Sequence, residues 1–112
     1  MSHFNRLPEF EKEFKKLSQK YQSLPEDLKK LEKLIEINPV GVGMNFIVIQ
    51  HLESVRIVKT RLACKSLRDR SIRIIYAYHN DIATFMYIEM YFKGEKVNEN
   101  RERITEYVKS LI

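Results

Sequence analysis

Cysteine is nearly absent: Cys64 stands alone among 112 residues. One thiol can close no internal disulfide and build no thiolate cage, which fits a chain expected in the reducing cytoplasm. Tryptophan is missing, and the histidines His3, His51 and His79 are scattered. With no His-x-x-x-His spacing and no Cys set to join them, neither a metal nor a cofactor is expected. Glycine is scarce as well, and Gly41-x-Gly43 lacks the third glycine or the Lys-Ser/Thr that a phosphate-cradling loop needs. No apolar run approaches the ~20 residues of a membrane-spanning helix, so no membrane partner is expected. The segment Met1-Ser2-His3-Phe4-Asn5-Arg6 has no apolar core of a leader. Repeats, low-complexity stretches and linkers are also missing. With 44% hydrophobic residues, the chain reads as a single folded domain over residues 1–112.

What the chain does have is positive charge in one place. The net charge is +5. Residues 1–40 are almost balanced, with eight Lys/Arg against seven Asp/Glu, and residues 94–112 are balanced, with four against four. The excess lies in residues 59–73, where Lys59, Arg61, Lys65, Arg68, Arg70 and Arg73 face Asp69 alone. Such concentration points to a polyanionic partner, nucleic acid or an acidic protein.

Hydrophobic periodicity gives the elements. Pro8 suits a first helical turn, and Phe10, Phe14, Leu17 and Tyr21 recur at helical spacing. Ser23-Leu24-Pro25-Glu26-Asp27 breaks and restarts the helix. Leu28, Leu31, Leu34, Ile35 and Ile37 form a second stripe, closed by Asn38-Pro39. Two amphipathic helices with so short a break predict a helical hairpin. The period then changes to that of strands over Met44–His51, Val55–Cys64, Ile72–His79 and Ala83–Lys93, with turns at Leu52-Glu53-Ser54 and Asn80-Asp81. A weaker strand signal lies at His3–Arg6. A last helix is predicted over Glu99–Ser110, capped by Asn98, with Ile104, Tyr107, Val108 and Leu111 as its stripe. The expected class is α+β: an N-terminal helical hairpin packed on a mostly antiparallel, twisted sheet of about four strands, followed by a C-terminal helix. That arrangement would leave the second sheet face free.

Strand parity sorts the side chains between faces. One face collects Val58, Thr60, Leu62 and Cys64, then Ile72, Ile74, Tyr76 and Tyr78, then Thr84, Met86, Ile88, Met90 and Phe92. The other collects Lys59 and Arg61, then Arg73 and His79, then Phe85, Tyr87, Glu89, Tyr91 and Lys93. Lysines and arginines crowded on one face repel each other and become favourable with phosphate bound. RNA carries its own nucleophile in the 2′-hydroxyl, so a face of cations and a phenol could cleave it without a metal. Cys64 shares parity with Leu62 and reads as a buried thiol.

The order of these segments resembles the RelE/ParE toxin superfamily. Phe10-Glu11-Lys12-Glu13-Phe14-Lys15-Lys16-Leu17 with Leu28-Lys29-Lys30-Leu31 is similar to its helical hairpin. Val58-Lys59-Thr60-Arg61-Leu62-Ala63-Cys64 and Arg70-Ser71-Ile72-Arg73-Ile74-Ile75-Tyr76-Ala77-Tyr78 resemble its central strands. Glu89-Met90-Tyr91-Phe92-Lys93-Gly94-Glu95-Lys96-Val97-Asn98-Glu99 resembles the closing strand and turn. The resemblance implies the toxin of a type II toxin–antitoxin pair, a metal-independent endoribonuclease of the RelE-like mRNA interferase branch. Its implied partners are a cognate antitoxin, messenger RNA and the ribosome. Lys59 and Arg61 match the basic pair of the central strand, Arg73 the arginine that binds the transition-state phosphate, and Tyr91 and Lys93 the polar end of the last strand. Lys59 or Lys93 is then the implied base for the 2′ proton. Lys96 matches a basic residue beyond that strand and joins Lys65, Arg68 and Arg70 as an implied RNA contact. The strand at Met44–His51 is an addition to the pattern, and Lys109-Ser110-Leu111-Ile112 lacks the terminal His or Tyr of some ribonuclease branches. The alternative implied by the ParE branch is a DNA gyrase inhibitor, or a toxin-fold protein that binds without cutting.

Overall fold

In the computed structural model, which describes residues 3–111, eight elements follow one another. They are β1 (His3–Arg6), α1 (Pro8–Lys20), α2 (Leu24–Ile37), β2 (Phe46–His51), β3 (Val55–Cys64), β4 (Asp69–His79), β5 (Thr84–Phe92) and α3 (Arg101–Lys109). The sheet order is β1-β5-β4-β3-β2. Strands β2 to β5 form an antiparallel meander, and β1 lies parallel to β5. The α+β class is as expected, but the sheet has five strands, the fifth being β1. Four residues carry little periodicity; β1 is held by contacts distant in sequence, with Phe4 stacked on Phe85 at 4.7 Å between ring centroids.

Both helices of the hairpin begin at a proline in the first turn, with glutamates that suit the positive end of the dipole. Phe10 and Leu17 of α1, with Leu24, Leu28, Leu31 and Ile35 of α2, are buried against Val58, Leu62, Ile72, Ile74, Tyr76, Phe85, Tyr87 and Met90. The stripe of α2 is narrower than the sequence suggested. Leu34 and Ile37 remain 59% and 77% exposed, because no element among the described residues covers that side of the helix.

The second sheet face is not free. Its half nearest Val55 and His79 is apolar, with Val55, Ile57, Ile75, Ala77 and Ile88, and α3 covers it through Ile104, Tyr107 and Val108. At roughly 25 cal/mol per Å², leaving that area wet would cost several kcal/mol, so the chain folds back over it. The cap of α3 is Asn100 rather than Asn98: its Oδ1 accepts the Arg103 backbone N–H at 3.0 Å.

A bulge in β5 overturns part of the parity reading. Ile75 pairs with Glu89, but Tyr76 pairs with Tyr87. The extra residue switches the alternation at Ile88. Phe85 and Tyr87 therefore join Met90 beneath the helical hairpin, while Met86 and Ile88 lie under α3. Beyond the bulge, Glu89, Met90, Tyr91 and Phe92 keep the faces expected of them.

Beyond its pairing with β1, the outer edge of β5 is satisfied by side chains. Arg103 of α3 donates to the Ile88 carbonyl at 2.9 Å, and Glu13 of α1 accepts the Met90 N–H at 3.1 Å. Arg103 and Glu13 also meet in a two-pronged ion pair at 2.9 Å. The pair ties α1 to α3 across the edge, and Glu13 raises the Arg103 guanidinium pKa above its ordinary value.

Candidate functional site

The uncovered half of the second face carries the charged groups, and strand register sets their grid. Arg61 of β3 lies directly opposite Arg73 of β4, and Arg73 directly opposite Tyr91 of β5. One pair further along, Lys59 faces Ile75, which faces Glu89. Period-2 alternation puts both rows on one face.

The row of arginines is only partly compensated: burial and Arg61 disfavour the Arg73 charge more than Tyr91 and Asp69 favour it. Among the described residues neither Arg61 nor Arg73 takes part in an ion pair. Arg73 is buried, and its guanidinium donates to the Arg70 carbonyl. Burial, and then the neighbouring Arg61 charge, pull the Arg73 pKa below the ordinary arginine value. The Tyr91 hydroxyl is buried and, among the described residues, makes no well-formed hydrogen bond, although the Lys59 ammonium lies close to it. Burial pushes its pKa up, partly opposed by the nearby Lys59 charge. A buried donor without a full partner costs about 1–3 kcal/mol.

The second row is neutralised by the segment joining β5 to α3, residues 93–100, which runs back over the face. Lys59 Nζ donates to Glu99 Oε1 at 2.9 Å. Glu89, fully buried, pairs with Lys96 and accepts the Asn100 N–H at 2.7 Å. Lys96 also sits 5.6 Å from the centre of the Tyr91 ring. Burial alone would lower the Lys59 pKa, but Glu99 and Tyr91 outweigh it and hold it above the ordinary lysine value. That is the direction opposite to what a lysine base requires. Burial would raise Glu99, yet Lys59, its own backbone N–H and Arg101 hold it below the usual carboxylate range.

The nine residues singled out in the sequence thus separate. Lys59, Arg61, Arg73, Tyr91 and Lys96 converge on the face. Lys93 lies just past the end of β5, exposed, with its N–H donating to the Ser71 carbonyl at 2.9 Å. Lys65 and Arg68 belong to the β3–β4 connection and Arg70 to the start of β4; Asp27 anchors the connection by accepting the Ser23 hydroxyl at 2.7 Å and the Lys65 N–H at 3.2 Å. There they rim a cavity of about 690 Å³ between α2, the 38–46 segment and that connection, with Leu31, Leu34, Val42 and Phe46 in its wall. Arg61 lines this cavity too, so one residue borders both features. His79 lies at the far end of β4 beside Tyr107, away from the arginines. Cys64 is buried, as its parity indicated.

Sequence reasoning missed Glu99 as a member of the face. The only signal was the four carboxylates among residues 94–112, which cancel the basic charge there. Nothing in their spacing showed that one of them reaches Lys59, forty residues earlier.

No family model matches the sequence, and no curated protein matches it significantly. The fold does match a solved structure. A chain of the archaeal RelE–RelB complex from Pyrococcus horikoshii OT3 superposes with a TM-score of 0.64 at 13% identity, covering 83% of this chain and 96% of that one. The fold is therefore RelE-like.

Proposed function

We propose that this chain is the toxin of a type II toxin–antitoxin pair and acts as an endoribonuclease on messenger RNA in the cytoplasm, associated with the ribosome. The observation that carries this reading is the Arg61–Arg73 pair, opposed in register, forming no ion pair among the described residues and lying beside the buried Tyr91 hydroxyl. Two guanidiniums held together against repulsion become favourable when a phosphodiester enters between them. They also favour the doubly charged phosphorane that forms when the 2′-hydroxyl attacks. RNA brings the nucleophile and the arginines bring the charge, so the step asks for no metal. Lys93 and Lys96 at the rim extend the positive track for the strand.

The purified protein, given RNA alone and RNA on programmed ribosomes in the presence of EDTA, should leave fragments ending in 2′,3′-cyclic phosphate. Growth arrest with intact transcripts and a DNA-damage response would instead move the target to gyrase.

An antitoxin completes the reading. The RelE-like fold comes from a RelE–RelB complex. The cavity beneath α2 suits an acidic amphipathic segment, with an apolar wall and Lys30, Arg61, Lys65, Arg68 and Arg70 around it. The exposed Leu34, Ile37, Val42 and Met44 lie in or beside it. A partner seated there would engage Arg61 and take it from RNA. Leu34→Glu combined with Val42→Glu should abolish protection by a co-expressed antitoxin while leaving RNA cleavage within about threefold, since exposed positions tolerate polar substitution. Undiminished protection of that variant would place the partner elsewhere.

A further inference from the structure

A 2′-hydroxyl needs a proton acceptor and the departing 5′-oxygen needs a donor. Of the carboxylates on the working face, Glu89 has both oxygens engaged, by Lys96 and the Asn100 N–H, and no exposed surface. Glu99 differs in degree: its side chain keeps 8% exposure, one oxygen accepts from Lys59, and the other has Arg101 at 3.8 Å. Lys59 in turn is three-quarters buried, and its ammonium lies close to the Tyr91 hydroxyl as well as to Glu99.

Resting on the ribonuclease reading above, we infer that Glu99 and Lys59 are a catalytic acid–base dyad, with the Glu99 carboxylate as the base and the Lys59 ammonium as the acid. Glu99 takes the 2′-hydroxyl proton as the 2′-oxygen bonds to phosphorus. The P–O5′ bond breaks, and Lys59 gives its proton to the leaving 5′-oxygen. The products are a 2′,3′-cyclic phosphate and a 5′-hydroxyl. Glu99 is then protonated and Lys59 neutral. At 2.9 Å the proton passes directly from one to the other, restoring the resting pair without an external acid or base. The groups facing Glu99 are Lys59 from β3, Tyr91 and Glu89 from β5, and Arg101 at the start of α3. Their sum keeps the carboxylate ionised and the ammonium protonated across the neutral range, so both partners stand ready in one state.

The test uses the full chain and the RNA, with ribosomes where needed, that the wild type cleaves. Glu99→Gln and Lys59→Met should each slow cleavage by roughly 10²–10⁴-fold. The substrate is then remade with sulfur in place of the bridging 5′-oxygen at the mapped site. Thiolate leaves without a proton, so this substrate should restore most of the rate of Lys59→Met and little of Glu99→Gln. A purely structural ion pair would give no such selectivity. Wild-type cleavage with Glu99→Gln within about threefold of it, or sulfur rescue of Glu99→Gln instead of Lys59→Met, overturns the dyad and leaves the ribonuclease reading standing. A wild type that cuts no RNA removes both.

Discussion

Arg73→Met should reduce RNA cleavage by roughly 10²–10³-fold, the range seen when one preorganised donor to a developing oxyanion is removed. Its stability should not fall. Arg73 is buried, forms no ion pair and sits against Arg61, so its charge is disfavoured in the folded state. A methionine keeps much of the packing volume and removes the repulsion. Thermal melting should thus be unchanged or slightly higher while activity collapses. Arg73→Lys should fall between wild type and Arg73→Met, because it restores the charge without the two-pronged fork. Full cleavage by a folded Arg73→Met protein would remove Arg73 from the site. A steep loss of stability would show that the arginine serves the fold instead.

The second large effect concerns the edge of β5. Arg103→Met should cost about 3 kcal/mol, because it strands the Glu13 carboxylate and leaves the Ile88 carbonyl without its side-chain donor. For a chain of this size that is a fall in melting temperature of roughly 10 °C. Glu13→Gln should cost less, and the double variant should recover part of the sum, with a coupling of about 1–3 kcal/mol. Additivity of the two single variants would mean that the pair is not a unit. Since Arg103 holds α3, and the segment before α3 carries Glu99, Arg103→Met should also slow cleavage at temperatures where the protein remains folded.

Much of the architecture was legible from periodicity. The helical hairpin, the meander and the last helix each carry an apolar stripe with its own period, and burial enforces such stripes locally. The placement of Lys59, Arg61, Arg73 and Tyr91 on one face also follows from alternation, because β3 and β4 remain regular across those positions. Phe85, Tyr87, Met86 and Ile88 went to the wrong faces because one bulged residue inverts parity, and no residue type announces it. Leu34 and Ile37 read as core because periodicity reports which residues share a stripe, not how wide the surface beneath it is.

The candidate site shows the same division. Residue order alone accounts for the cluster of cations and the row that faces Arg73 from either side, since alternation and pairing act between neighbours in a meander. Whether those cations are free to bind was settled by contacts between distant segments. Glu99 reaches back to Lys59 and Glu89 meets Lys96, while among the described residues Arg61 and Arg73 form no ion pair. Charge pairing depends on separation in space, and only the return of the chain over the sheet, drawn by the apolar half under α3, brings Glu99 to Lys59 and Lys96 to Glu89.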